Sequence, residues 1–568
     1  MNNCLKTLEK YKEKIFMIVA IFLIAIFAFS LSPKQMQNDI YYTVTIGKLI
    51  RENGIDKIDH FSWHEGLPYE YPHWLYDVGM SFLYDIGGFE TIYISTCVFS
   101  ILLGISIFLV NSKLSGNKQI SFFVTIAVLY LIKGYITARA QLVTFILFIL
   151  LVYNIERFLK NKKIINAIAL FLIQLLIANL HAAVWPFTFV LYLPYIAEYL
   201  IAEMLDILIY KKIPIFCIKH RIKYILNKTK RKNLKNREKV NEKLNKLNET
   251  LIQKQNKVQM IRAKREVDEG KEYKVTIIKN NNVRWLIVIM IITILTGFLT
   301  PIGKTPFTYT YLTMKGNTTH NINEHLPLTL TNNKPMLCTM IILIALIAFT
   351  RIKIRLSDLF MIGGLTYLMF MTRRQQSMLV LIGSVAFTRM LKQFLTIILN
   401  KPIEDIFRKY FNGFTAFILI AVMILWSGQL YSKIKNNSYV NKNNYPIEAS
   451  EWILKNLDVN NIRLYNEYNY GSYLLFKGIP VFIDSRADLY APEFNTPTGK
   501  AINGKDIFMD FINSSNLTNF YGDIFKKYNI THVILYKNSK IAMFIRKTDS
   551  ENYKELYSDD KFVIYEVL

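Results

Sequence analysis

Apolar and polar residues come in long alternating blocks along this chain. After a lysine-bearing start over residues 1–14, an apolar run covers Ile15 to Ser32. That is about the length needed to cross a bilayer as a helix. No small-x-small cleavage pattern precedes Pro33, so the run reads as a retained first helix and not as a leader. Further apolar segments lie near 88–111, 119–134, 140–156, 164–180 and 182–209, then near 285–300, 336–350, 358–371, 376–396 and 412–430. With the first they predict about eleven transmembrane helices.

The polar blocks divide the rest. Residues 33–73 form a loop with acids at Asp39, Glu52, Asp56, Asp59, Glu65 and Glu70. Within it, Tyr41 to Arg51 has the pattern of a helix lying on the bilayer surface, ended by the turn pair Asn53-Gly54. Trp74 to Tyr84 predicts a second surface helix. In the block 211–284, Val240, Leu244, Leu247, Leu251, Val258 and Ile261 follow a 4-3 spacing, with Lys254 at the missing position. This is about three heptads, enough to suggest a coiled coil. After residue 430 the pattern shortens. Ile462–Tyr465, Val481–Asp484, His532–Tyr536 and Phe562–Val567 are β-type runs, with helical stretches at 446–457, 471–476, 507–513 and 520–528. Such alternation predicts a small, mostly parallel sheet covered by helices.

The expected fold is therefore a mainly α, polytopic membrane protein with a C-terminal soluble α/β domain. Its parts are an N-terminal transmembrane region (1–210) with the outer loop 33–73, a basic helical insertion (211–284), a second transmembrane region (285–430) and the α/β domain (431–568).

Composition agrees. Of 568 residues, 52% are hydrophobic, more than one soluble core needs. The formal net charge is +27, and the 211–284 block carries roughly 23 Lys/Arg against 7 acids. In a membrane protein such charge reports topology and contact with anionic headgroups, not nucleic-acid binding. The basic loops near Lys113, Arg157, Lys211, Arg351 and Lys392 all fall on one side if there are eleven spans and the N-terminus is cytoplasmic. A multi-pass plasma-membrane protein follows, with the Asp39 loop, the loop 301–335 and the C-terminal domain outside. Four scattered cysteines, without a CxxC pair, predict neither a disulfide framework nor a zinc site. The C-terminal part has no GxGxxG or GxxxxGK[ST], so no nucleotide site is expected there.

A few polar residues stand out against the apolar pattern. Asp39 lies just beyond the first helix, where an ionised acid must be solvated, paired or useful. An ordinary loop acid is the plainer account. Arg139, Arg373 and Arg374 sit at outer ends of apolar segments, against the orientation bias. Either they snorkel to headgroups, or they pair an anion through parallel hydrogen bonds. His73, His181 and Trp185 occupy similar positions, as does Glu324-His325 in the loop 301–335. These are interfacial residues or the polar wall of one cavity. Asp484, Arg486 and Asp488 end a β-type run where α/β ligands usually bind. An Asp–Arg pair that fixes the loop is the preferred account of them. No spacing supports a metal site; a divalent ion shared by Asp39 and a phosphate oxygen has no motif behind it, and no cofactor is expected.

Taken in order, Asp39-Ile40-Tyr41-Tyr42 with Gly47, His60-Phe61-Ser62, His73-Trp74-Leu75, Arg139-Ala140-Gln141, Asn179-Leu180-His181 and Glu324-His325-Leu326-Pro327 form a set. Tyr470-Gly471-Ser472-Tyr473-Leu474 and Phe482 to Tyr490 continue it. The set resembles bacterial polytopic proteins of the GT-C glycosyltransferase superfamily, which includes protein O-mannosyltransferases, oligosaccharyltransferases and aminoarabinose transferases. The resemblance covers most of the chain except 211–284. Relatives usually show Asp-x-Asp followed by two tryptophans and a His. Here Gln37, Tyr41, Tyr42 and Thr43 stand at the other positions, and only Asp39 matches the acid.

The resemblance implies transfer of a sugar from a polyprenyl-phosphate-linked donor to an acceptor in the cell envelope. Asp39 would be the base, Arg139 with Arg373 or Arg374 would meet the phosphate, and His73 and His181 would line the site. The outer domain would cap the cavity or select the acceptor. A non-catalytic scaffold on the same frame and a lipid or solute transporter are the alternatives; no internal repeat of the kind transporters often carry is present. Expected partners are the polyprenyl-phosphate donor, anionic headgroups and, through 226–269, a second copy of the chain.

Overall fold

The computed structural model describes residues 2–208, 212–231, 237–269, 274–316, 318–496 and 506–568. Within them the protein is mainly α, and each of the eleven apolar runs is helical. Six are long and apolar enough to cross a membrane: Tyr11–Leu31, Trp74–Ser115, Ala140–Asn161, Ala182–Ile207, Arg373–Leu399 and Gly413–Ser432. The runs Lys118–Leu131, Ile164–Leu180, Val283–Phe298, Lys334–Phe349 and Leu356–Met371 form shorter apolar helices. At 1.5 Å per residue, a 16-residue helix reaches about 24 Å, less than a hydrocarbon layer of roughly 30 Å. Eleven full-length crossings are more than helix length alone supports.

Local sequence explains the main breaks. The surface helix expected at 74–84 and the apolar segment at 88–111 are joined as Trp74–Ser115, with non-helical Gly87 and Gly88 between them. Gly88 takes φ 63°, ψ −148°, a region that residues with a Cβ hardly enter. The 182–209 segment is likewise broken into Ala182–Val184, Phe187–Val190 and Leu193–Leu208. Pro186 stands at the first break, where its missing N–H would interrupt a continuous ladder.

The apolar helices share one core that runs from Phe16 to Met423. A second core is built by two distant parts of the chain. Ile40, Tyr41 and Tyr71 of the outer segment pack with Tyr445, Tyr465, Tyr473 and Ile564. The Tyr41 ring lies 4.9 Å from that of Tyr445 and 5.1 Å from that of Tyr473. The C-terminal part thus buries its apolar face against the N-terminal segment 33–73.

Its sheet has four strands in the order Leu464–Tyr465, His532–Tyr536, Phe562–Val567, Tyr553–Ser558. Only the first pair is parallel, and the rest is antiparallel. The mostly parallel sheet read from the sequence is therefore replaced by a mixed one. Two features account for this. Tyr553–Ser558 and Phe562–Val567 form a tight hairpin, and Val481 leaves the sheet. The Val481 backbone instead pairs with the outer loop, accepting from Trp63 N–H at 3.3 Å and donating to the Phe61 carbonyl at 3.2 Å.

In the insertion, Lys212–Arg231 packs against Arg237–Glu269. The less exposed positions are Ile215, Ile218, Ile222 and Ile225 on one helix and Val240, Leu244, Leu247 and Leu251 on the other. The first four positions of the 4-3 spacing thus lie among the less exposed residues of a helix that packs on another helix of the same chain. Residues 232–236, inside the segment expected to pair two copies, lie outside the described residues.

Candidate functional site

Asp39 stands in the first turn of the helix Asn38–Asn53, where backbone N–H groups favour a negative charge. The helix is set close to Trp74–Ser115 at Gly47, where a Cβ would lie 2.0 Å from the Asp77 carbonyl oxygen. Arg139 precedes the helix Ala140–Asn161 as its N-cap. Its Nε lies 2.8 Å from Asp39 Oδ2, and its Nη1 lies 3.0 Å from Glu324 Oε1. One guanidinium thus joins the helix Asn38–Asn53 to the loop 301–335.

That loop is held by backbone bonds. Arg373 N–H donates to the Leu326 carbonyl at 2.8 Å, and Arg374 N–H to the Glu324 carbonyl at 3.1 Å. Arg374 lines a cavity of about 660 Å³ together with Asp39, Arg139, Glu324, His73 and His181. Among the described residues, no ion pair or hydrogen bond is made by its guanidinium. Arg373 does not line this cavity; its carbonyl accepts from Tyr135 at 3.0 Å.

His73 and His181 stack loosely in the cavity wall, ring centroids 5.3 Å apart. His181 Nδ1 is 3.2 Å from the Thr144 hydroxyl. Burial, and then the charges of Arg374 and Arg139, push His73 down to about 3. It is therefore neutral near pH 7 and serves as a hydrogen-bonding group rather than a cation. Burial raises the Glu324 carboxyl, but Arg139 and then Arg374 outweigh it and hold the group below the usual glutamate range. Glu324 is a carboxylate in the resting site.

The C-terminal part forms the facing wall through Tyr468, Phe494 and Asp488. Asp488 accepts hydroxyl hydrogen bonds from Tyr309 at 2.7 Å, Thr313 at 3.3 Å and Thr318 at 3.1 Å. It ties the C-terminal part to the segment that carries Tyr309, Thr313 and Thr318. Asp484 and Arg486 act as a buried joint. Arg486 Nη2 is 2.6 Å from Asp484 Oδ2, and its Nη1 is 2.6 Å from Asp59 Oδ1. Tyr490 donates to the same Asp484 oxygen at 2.6 Å. Asp484 does not line the cavity, whereas Arg486 reaches its edge with its charge already matched.

The structure thus brings together Asp39, Arg139, Arg374, His73, His181, Arg486 and Asp488 at one cavity and leaves Arg373 and Asp484 outside its lining. Glu70 and Glu467 also line it, two acids that sequence reasoning did not single out for the site. Glu324 and His325, read from the sequence as interfacial residues or cavity wall, both line it. Glu467 carried no signal; it lines the cavity, and burial pushes its carboxyl up to about 7. Among the described residues, no group of three or more His, Cys, Asp or Glu is placed to hold a metal ion. A polar cavity with a carboxylate, an unpaired guanidinium and neutral imidazoles can bind an anion and orient a hydroxyl beside it. No protein-family model matches this chain, and no curated protein matches it.

Proposed function

We propose that this protein is a membrane glycosyltransferase of the GT-C type, moving a sugar from a polyprenyl-phosphate-linked donor to an acceptor outside the membrane. The observation that carries the reading is the convergence of Asp39, Arg139, Arg374, His73 and His181 on one cavity. In this reading the apolar segments cross the plasma membrane with the N-terminus inside, the cavity opens outside, and the basic hairpin lies near anionic headgroups.

The chemistry divides between two charges. An acceptor hydroxyl gives its proton to the Asp39 carboxylate as its oxygen bonds to the anomeric carbon. The bond from that carbon to the phosphate oxygen breaks, and its electron pair leaves with the lipid phosphate. Arg374, whose guanidinium makes no ion pair or hydrogen bond among the described residues, meets the charge that develops there. A positioned base of this kind contributes about 10²–10⁴-fold.

Gently purified wild-type protein is expected to retain a polyprenyl-phosphate species in native mass spectrometry, and Arg374→Ala to lose it. Asp39→Asn should keep the lipid and lose transfer by about 10²-fold or more. Full transfer by Asp39→Asn would remove the base assignment. Lipid retained without any transfer by wild type would favour a non-catalytic frame, a reading in keeping with the Asp39–Arg139 ion pair. Absence of the lipid from wild type would count against the donor class.

A further inference from the structure

The four charges linked through Arg139 and Glu324 sum to zero. Arg139 and Arg374 face Asp39 and Glu324, and His73 adds no charge near pH 7. An anion entering this cluster brings an uncompensated charge into a partly desolvated space, which is costly unless a carboxylate withdraws.

The two carboxylates differ in their freedom to do so. Asp39 stands in the first turn of a helix, with a side chain 23% exposed. Glu324 belongs to a loop, its side chain is 49% exposed, and it contacts Arg139 through one oxygen. Its backbone is anchored separately, because the Glu324 carbonyl accepts from Arg374 N–H at 3.1 Å. The side chain can therefore swing out to solvent while the loop stays in place. Withdrawal opens the Nη1 edge of Arg139 to the cavity that Arg374 also lines, and among the described residues the Arg374 guanidinium makes no ion pair or hydrogen bond. Arginine pairs presented this way suit phosphate oxygens.

We infer that Glu324 is the resident counter-ion of a two-arginine anion site, displaced when the phosphate of the substrate binds between Arg139 and Arg374. This rests on the phosphate-donor reading above and assigns it a mechanism of admission. In the resting site Arg139 is paired with both Asp39 and Glu324. A ligand must supply enough negative charge to replace a carboxylate, which favours phosphate and diphosphate groups over neutral sugars. Glu324 thereby sets specificity for charge, without touching the reacting atoms.

The test uses the full chain in detergent micelles and calorimetric titration with farnesyl phosphate, farnesol and inorganic pyrophosphate. Glu324→Gln keeps the shape and removes the competing charge. It is expected to bind farnesyl phosphate about tenfold more tightly than wild type, the scale of one charged contact at a partly buried site. Arg374→Ala is expected to lose that binding and Arg374→Lys to keep part of it, and the gain should vanish in Glu324→Gln with Arg374→Ala. Farnesol should be indifferent to every change. A gain for pyrophosphate as well as farnesyl phosphate assigns the site to the phosphate group alone; a gain for farnesyl phosphate only makes the lipid part of the ligand. If wild type binds farnesyl phosphate and Glu324→Gln binds it equally or more weakly, Glu324 is not the counter-ion, while the donor reading stands. If neither wild type nor Glu324→Gln binds either phosphate, the donor reading fails and this inference with it.

Discussion

His73 occupies a place where a proton is hard to keep. Burial is the main cause, with Arg374 and Arg139 adding repulsion, and together they bring it to about 3. An unfolded histidine titrates near 6.5. The folded value is lower, so its contribution to stability is complete above about pH 6.5 and is lost as pH falls toward 3. Between pH 6.5 and 5, before most carboxylates titrate, this one group removes up to about 1.4 kcal/mol per pH unit. His73→Asn should flatten the fall of melting temperature over that window, measured by scanning fluorimetry in detergent. An unchanged acid slope would mean that His73 is solvated and the cavity wetter than its geometry indicates. Residues of this kind are legible in the sequence because a charge or an imidazole at the end of an apolar run calls for a reason. Their partners are less legible. Arg139 and Glu324 are 185 residues apart, and no local pattern connects them. Arg373 and Arg374 are chemically equal as text; only the turn that precedes Gln376–Leu399 sends one to the cavity and not the other.

At the scale of elements, periodicity served the helices well and the sheet poorly. Long apolar runs leave helix as the form that satisfies its own backbone in lipid, so their locations follow from the text. The Val481 segment has a β-type pattern too, but its partner is the loop at Phe61–Trp63 rather than a neighbouring strand, a choice set by tertiary contact. The two glycines at 87 and 88 show how one position can control an element. Gly88 has a positive φ that L-residues avoid, while Gly87 has an extended φ of −162°. A Cβ on Gly87 would meet only the Thr91 side chain, its hydroxyl oxygen at 2.3 Å, which rotation relieves. Gly88→Ala should therefore cost about 1–3 kcal/mol, read as a lowered melting temperature, and Gly87→Ala should cost less. Equal effects would show that the break between the two halves is set by packing and not by the backbone of Gly88.

The whole molecule depends on how its outer parts are joined. The C-terminal part shares a core with the N-terminal segment 33–73, and the joint contains a charge cluster that is almost fully buried, Asp59, Asp484 and Arg486. Burial raises the Asp59 carboxyl, and Arg486 with the Ser62 hydrogen bonds more than reverses this, leaving it below the ordinary aspartate range. A depressed carboxyl stabilises above its unfolded pKa near 3.9 and loses that contribution as pH falls through the folded value. Across neutral pH the joint is therefore intact. Asp59→Asn removes one of the two carboxylates that match the buried guanidinium, and breaking such a pair costs about 3–5 kcal/mol. The loss should be local. The apolar helices have a separate core that contains none of these residues, so helical content should be retained while the C-terminal part is freed from that segment. Limited proteolysis is expected to cleave the exposed stretch around Lys433–Asn437 faster in Asp59→Asn than in wild type. Because the freed part also forms the wall that carries Asp488 and Tyr468, phosphate binding at Arg374 should survive while any acceptor-dependent turnover falls. If proteolysis is unchanged, the shared aromatic core alone holds the two parts together. If helicity and phosphate binding collapse with it, the two cores are one cooperative unit, and the outer wall is a condition of folding rather than an attachment to a finished membrane frame.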